Sequence, residues 1–433
     1  MQAAATTKVP QPTSMRGALL AGVAGNMLEW FDYSLYGFFA SVISANFFPA
    51  KDPIVGLMIT FLVFGLGFVA RPVGGFLFGH YADRIGRKNV LAITVILMGG
   101  STLIMGLLPS YARIGVAAPI ILTFARLLQG TAAGGEFGSC VSFLAEYATP
   151  RNRAFIVSWS QVSAAAGLLL GALWGTALSS LLSQPQLYSW GWRIAFIFGI
   201  VVALAGYIIR KNVDETPVFQ QKTESDALSQ APLVDAFRNY KKELITVFFL
   251  VGGSNVTYWL VLNFMSTYIS RFLKLGMTTG FSLTVVTLVA FMAGVPLAGH
   301  LADRFGRKPL MLAGSGGLTF LGYPLFKALA RTSSYGEMAG IVIVLALIFA
   351  LYIGGFTVGI SELFPTNVRC SGFSMAYQVS SAVFGGTAMA TVTWLIRASG
   401  SNMAVPMYMS GLMFVCLLAT VFLFPETKDR PLG

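Results

Sequence analysis

Five charged side chains interrupt long apolar runs: Glu29 and Asp32 in the first run, Arg71 in the second, Arg126 and Glu136 in the fourth. A charge surrounded by hydrocarbon is costly, so each marks a place where protons, ions or charged solutes are handled. Glu29, Asp32, Tyr33 and Tyr36 recur at helical spacing and share a face, as do Arg126, Gln129 and Glu136. A carboxylate that alternates between an arginine and a proton is a workable coupling device, and Asp32, with Glu29 or Glu136, is expected to hold the proton. The alternative, a permanent Glu–Arg pair tying helices together, stays open. A guanidinium grips a carboxylate through two parallel bonds, so Arg71 and Arg126 favour a solute with at least one carboxylate. Tyr33, Tyr36 and Gln129 lie beside these charges, and Gln161 adds an amide. The second half offers Asn255, Tyr258, Trp259, Asn263, Tyr352, Tyr377 and Gln378. Faces of Tyr and Trp there could also hold a quaternary ammonium by cation–π attraction.

The elements that position these residues follow from composition. Of 433 residues, 55% are hydrophobic and 11% charged, against about 25% charged in soluble domains. Mean hydropathy is +0.72. About 20 apolar residues span a bilayer as a helix, and the runs are too long for barrel strands, so an all-α membrane protein is expected. Twelve helices are expected: α1 from about 17 to 48, α2 54–79, α3 90–108, α4 117–147, α5 from the loop at 149–153 to 182, and α6 190–211. The rest are α7 243–270, α8 279–299, α9 309–331, α10 336–364, α11 369–397 and α12 403–424. Residues 1–16 form a cytoplasmic N-terminus without a removable signal peptide. Residues 17–210 make one six-helix bundle, 211–242 a charged cytoplasmic linker, 243–424 a second bundle and 425–433 a cytoplasmic tail.

The halves are related. Gly79-His80-Tyr81-Ala82-Asp83-Arg84-Ile85-Gly86-Arg87-Lys88 returns as Gly299-His300-Leu301-Ala302-Asp303-Arg304-Phe305-Gly306-Arg307-Lys308, with eight of ten positions identical and an offset of 220 residues. Glu146…Pro150…Arg153 after α4 returns as Glu362…Pro365…Arg369 after α10, the Glu and Arg each 216 residues on. Such halves pack around a central cavity and rock against each other. Small residues at Gly130 and Gly134, and at Gly167, Gly171 and Gly175, let helices approach closely.

Net charge is +12. The basic residues gather in loops of one side, 19 of 29 against eight on the other, which puts both termini inside. That bias reads as topology and not as nucleic-acid binding. Cys140, Cys370 and Cys416 share no close spacing, and His80 and His300 have no ligand cluster, so no metal is expected. No nucleophile with its base and no phosphate loop argues for an enzyme.

The repeated G-x-x-x-D-R-x-G-R-K loop resembles the signature of the major facilitator superfamily, and Arg126-Leu127-Leu128-Gln129-Gly130 resembles its α4 motif. By that resemblance, the Arg126 side chain faces α1 and takes part in proton coupling, with Gln129 nearby. Gly25-Asn26-Met27-Leu28-Glu29-Trp30-Phe31-Asp32, Arg71-Pro72-Val73-Gly74-Gly75, Gly134-Gly135-Glu136 and Trp190-Gly191-Trp192-Arg193 look like the metabolite–proton symporter family over nearly the whole chain. Asn255-Val256-Thr257-Tyr258 and the end Glu426-Thr427-Lys428-Asp429-Arg430-Pro431-Leu432 are similar to proline/betaine symporters, without their long C-terminal coiled coil. Arg71 with Arg126, and Phe384-Gly385-Gly386, are more like 2-oxoglutarate and citrate permeases. The resemblance implies a major facilitator fold and alternating-access import of a small carboxylate-bearing metabolite with protons, by a monomer in a bacterial inner membrane. Besides the bilayer, its partners are the solute and protons, with no other cofactor. The alternatives are an osmoprotectant symporter and a drug–proton antiporter. The inner gate is expected to use Asp83, Arg87, Glu146, Arg153, Asp303, Arg307, Glu362 and Arg369, with Asp83 and Asp303 meeting Arg369 and Arg153.

Overall fold

The computed structural model describes residues 15–85, 87–134, 141, 144–145, 148–149, 151–211, 238–364, 374–428 and 430. The described residues are helical with no strand, as lipid demands of a backbone that must bond itself. The first half runs as α1 (Met15–Phe38, continued by Ala40–Phe47), α2 (Pro53–Ile85), α3 (Arg87–Leu107), α4 (Ala117–Ala132), α5 (Arg153–Leu181) and α6 (Trp192–Lys211). The second runs as α7 (Lys241–Leu262, continued by Phe264–Thr267), α8 (Met277–Phe305), α9 (Arg307–Leu329), α10 (Tyr335–Glu362), α11 (Ser374–Ser399) and α12 (Ala404–Phe422).

α1 and α7 are not the unbroken helices their apolar runs suggest. α1 breaks at Phe39 and α7 at Asn263, whose φ and ψ are −125° and −55°. The broken segments meet across the two halves. The Asn263 amide Nδ2 donates to the Ser34 carbonyl at 3.4 Å. Gly37 makes this possible, because a methyl group there would overlap the Asn263 side chain.

Close helix approach fixes the bundle interiors. A methyl on Gly130 would strike the Gly67 carbonyl, and one on Gly134 the Arg71 carbonyl, so α4 lies directly on α2. In α5, Gly167 and Gly171 face α1, while Gly175 faces the ring of Phe281 on α8, across the seam between the halves. Large apolar side chains such as Val69, Ile120, Phe124, Leu297 and Phe422 are exposed on the outer surface, where lipid would cover them.

The halves touch at both ends of their seam. At the signature-loop end, Asp303 on α8 accepts from the backbone N–H groups of Ala154 and Phe155, each at 2.9 Å. Arg153 pairs with Glu362 at 2.8 Å. At the opposite end Arg397 on α11 pairs with Asp52, also at 2.8 Å, and Thr278 on α8 donates to the Ser179 carbonyl of α5 at 3.0 Å.

Candidate functional site

Two arginines dominate the space between the bundles. Arg71 and Arg126 are among the largest fully buried side chains of the protein. Both lie against one ring: the Arg126 guanidinium carbon is 4.1 Å from the Tyr33 centroid, and that of Arg71 is 4.4 Å from it. Phe68 lies 4.4 Å from Arg71, and Phe64 4.5 Å from Arg126. Tyr33 thus joins the two arginines. α1 supplies Glu29 and Tyr33 one turn apart, α2 brings Arg71, and α4 brings Arg126.

The arginines differ in their partners. Arg71 Nη2 is 3.9 Å from Glu29 Oε1, and Arg71 Nε donates to the Tyr33 hydroxyl at 3.4 Å. Among the described residues, Arg126 has no carboxylate in that position. Its Nη1 donates to Gln129 Oε1, and its Nε and Nη2 are buried without an acceptor. Those two groups are the edge of a guanidinium that receives a carboxylate side-on. Gly67 opens the space beside them, since a methyl there would come 3.1 Å from Arg126 Nε.

Asp32 takes another direction. Although it shares the helical face of Glu29, its Oδ1 lies in contact range of Gly199 on α6 and the Thr102 side chain on α3. The acids on α1 thus serve separate neighbourhoods, Glu29 with Arg71 and Asp32 with Thr102.

The second bundle closes the site with aromatics. Trp259 stacks on Trp30 at 5.8 Å and meets Phe64 edge-on at 4.9 Å, and Tyr258 lies 5.3 Å from Trp30. Tyr377 reaches Asn255 and lies in the field of Arg71 and Glu29. The Tyr36 and Tyr258 hydroxyls and Gln378 Oε1 are buried without partners, an uncommon condition that marks polar groups available to a solute. Three of the expected residues instead join protein to protein. Gln161 donates to Thr357 Oγ1 at 3.1 Å, Gln378 Nε2 to the Gly134 carbonyl at 3.0 Å, and Asn255 Nδ2 to its own helix at 3.1 Å. The first two bonds cross the seam.

At the signature-loop end the pairing differs from expectation. Asp303 does not take Arg153; it caps the free N–H groups at the start of α5. Arg153 pairs across the seam with Glu362, which also binds Arg307 at 3.2 Å and Thr427 Oγ1 at 2.7 Å. Glu426 of the tail caps the start of α9 through the N–H groups of Arg307 and Lys308. Glu136, Glu146 and Arg369, and the side chains of Asp83 and Arg87, lie outside the described residues. Sequence reading missed Thr102, Phe64, Phe68 and Thr357. Their residue types are ordinary for membrane helices, and only the docking of helices singles them out.

Two bundles of six helices around buried charges define a secondary transporter of the major facilitator superfamily. The profile described as "Sugar (and other) transporter" matches residues 17–235 and 220–433, and the chain belongs to that family. It is 35% identical over 428 residues to a glycine betaine/proline/ectoine/pipecolic acid transporter of Dickeya dadantii, covering 96% of this chain and 85% of the relative. A proline/betaine transporter of Escherichia coli is 34% identical, with the same coverage. A citrate–proton symporter of Klebsiella pneumoniae is also 34% identical, over 94% of this chain and 91% of the relative. Among solved structures, the xylose transporter XylE of Escherichia coli, partially occluded and inward open, superposes with a TM-score of 0.76 at 18% identity. That match covers 96% of this chain and 99% of the other, and shows the shared fold. The chain is thus a multi-pass membrane transporter and not an enzyme.

Proposed function

We propose that this chain is a proton-coupled symporter that imports a small carboxylate-bearing solute by alternating access. The observation that carries this reading is the Nε/Nη2 edge of Arg126, buried beside Tyr33, Tyr36 and Phe64 and without an acceptor among the described residues. A solute carboxylate accepting from both atoms would satisfy them at once. Asp32 holds the proton, Arg71 and Glu29 form the neighbouring pair, and Tyr36, Tyr258 and Tyr377 present hydroxyls. The Arg153–Glu362 link and the Asp303 cap hold the inner end shut, and both termini face the cytoplasm of a bacterial inner membrane.

Charge balance narrows the solute. Arg71 and Arg126 offset Glu29 and Asp32 among the described charges of the site. A monocarboxylate entering with one proton leaves that balance unchanged, a zwitterion entering with one proton adds a single positive charge, and a di- or tricarboxylate needs further protons or cations to match it. The aromatic wall of Trp30, Tyr258 and Trp259 favours a second reading, in which the solute also carries an ammonium group, as proline and betaines do. Relatives named for proline and betaine and for citrate match almost equally well, which supports a carboxylate and leaves both solute types in play.

The test is uptake of labelled proline, glycine betaine, citrate and 2-oxoglutarate into proteoliposomes with an inward pH gradient. The reading predicts accumulation of at least one, abolished in Arg126→Ala. Accumulation of none of them, or undiminished transport by Arg126→Ala, would overturn it.

A further inference from the structure

Asp32 and Arg126 are not joined directly: neither appears in an ion pair among the described residues. A chain of neutral groups lies between them. Arg126 Nη1 donates to Gln129 Oε1, and Gln129 Nε2 donates to Thr102 Oγ1 at 2.9 Å. The Thr102 side chain lies against the Asp32 carboxylate, both pressed to the same point on α6: a methyl placed on Gly199 would stand 2.8 Å from Thr102 Cγ2 and 3.0 Å from Asp32 Oδ1. Asp32 Oδ1 is buried with no hydrogen-bond partner among the described residues, and the Thr102 side chain packed beside it carries the nearest hydroxyl the relay can use. Every donor in the chain then points from the guanidinium toward the acid. All four residues are buried, so water does not compete for these bonds.

We propose that Thr102 is a positioning residue that makes the Arg126 guanidinium respond to the proton on Asp32, acting through Gln129. The inference rests on the symport reading and adds a part to it. With Asp32 ionised, the Thr102 O–H is drawn to the carboxylate. Its lone pairs accept from Gln129, and Gln129 Oε1 holds Arg126 Nη1. When Asp32 takes a proton from the water on the uptake side, the acid becomes a donor itself. Its O–H turns to Thr102 Oγ1 and competes there with Gln129 Nε2. The carboxamide is released, and with it Arg126, whose free edge then closes on the solute. Thr102 keeps its own proton throughout. One proton is bound by Asp32 and later lost from it to the other side.

Among the described residues, few charged groups face Asp32. Arg126 on α4 and Glu29 on its own helix act on it, with Arg71 of α2 paired to Glu29. α3 and α6 present Thr102 and Gly199, which carry no charge. The proton on Asp32 can thus be sensed at Arg126 through the field or through the relay, and deleting the hydroxyl separates the two.

The experiment compares Thr102→Val, Thr102→Ser and Gly199→Ala with the parent in proteoliposomes, using whichever of proline, glycine betaine, citrate and 2-oxoglutarate the parent accumulates. Two rates are read: accumulation driven by a pH gradient, and solute exchange at equal pH, which needs no net proton movement. Thr102→Val should lose at least tenfold in accumulation and less than threefold in exchange. Thr102→Ser should restore accumulation to within threefold of the parent. Gly199→Ala, which crowds the same contact from α6, should follow Thr102→Val. Parent-like accumulation by Thr102→Val would overturn the proposal, as would equal loss of both rates without rescue by serine. Failure of the parent itself to accumulate any of the four would refute the symport reading instead.

Discussion

Replacing Arg126 by lysine tests the site most sharply, because it keeps the charge and removes the fork. Lysine presents one ammonium where arginine presents two parallel donors. The free edge comprises Nε and Nη2, so a bound carboxylate would lose one of two charge-assisted hydrogen bonds. Such a bond contributes about 1.5–3 kcal/mol, and about 1.4 kcal/mol corresponds to a tenfold change in affinity. The expected rise in KM for the solute is thus on the order of 10- to 150-fold. Stacking against Tyr33 at 4.1 Å and Phe64 at 4.5 Å is also disturbed, which pushes toward the upper end. The assay is initial uptake in proteoliposomes over a range of solute concentrations, with protein content matched by fluorescence-detected gel filtration. A KM within threefold of the parent would refute the assignment of the carboxylate to this edge. An effect confined to the maximal rate would refute it equally.

Other perturbations have separate readouts. Glu362→Gln leaves the buried Arg153 and Arg307 guanidiniums without their shared carboxylate; losing one partner of a buried pair costs about 3–5 kcal/mol, so the inner end should open, and a cysteine placed at Ala154 should react with a maleimide added from the inside at least tenfold faster. An unchanged labelling rate would dismiss the gate. At the other end, the hydrogen bond from Arg397 holds the Asp52 carboxyl below the usual carboxylate range. The bridge is therefore complete at neutral pH and is lost only as pH falls through that lowered value. Labelling from outside of a cysteine at Ser179 should then be flat from pH 8 to pH 5 in the parent and raised at all of these pH values in Arg397→Gln, by less than about fivefold because exposed ion pairs are weak. A rise in the parent between pH 7 and pH 5 would contradict this. Gly74→Ala should lower the yield of monodisperse protein, since its methyl would overlap the Thr131 carbonyl of α4 and overpacking costs about 1–3 kcal/mol; a parent-like gel-filtration profile and thermal midpoint would show that α2 and α4 can separate there at no cost.

Much of the fold is written plainly in the chain. Long apolar runs leave the backbone no partner but itself, and a loop repeated 220 residues on declares the two halves. Glu29, Asp32, Arg71 and Arg126 stand out because charges are so rare in such runs. What their spacing could not convey is which neighbour each would meet. Glu29 and Asp32 lie three residues apart, yet one reaches Arg71 and the other Thr102. That divergence depends on how α2, α3 and α6 pack around α1. The aromatic wall was hidden for a different reason: Phe, Tyr and Trp make up 13% of the residues, and only docking of the bundles sets Trp259 against Trp30. The gate pairing was also illegible. Arg153 and Asp303 are neighbours, but the capping demand of α5 claims the carboxylate first, which leaves Arg153 to Glu362. The breaks at Phe39 and Asn263 carry no proline, and nothing local announces them.

The most direct test of the account measures protons instead of solute. Parent proteoliposomes with a trapped pH-sensitive dye, given an accumulated solute at equal pH on both sides, should acidify inside as the solute enters. Asp32→Asn should exchange the solute with no acidification. Solute entry by the parent at a steady internal pH, or acidification that persists in Asp32→Asn, would contradict the claim that a buried carboxylate on α1 carries the proton with the solute.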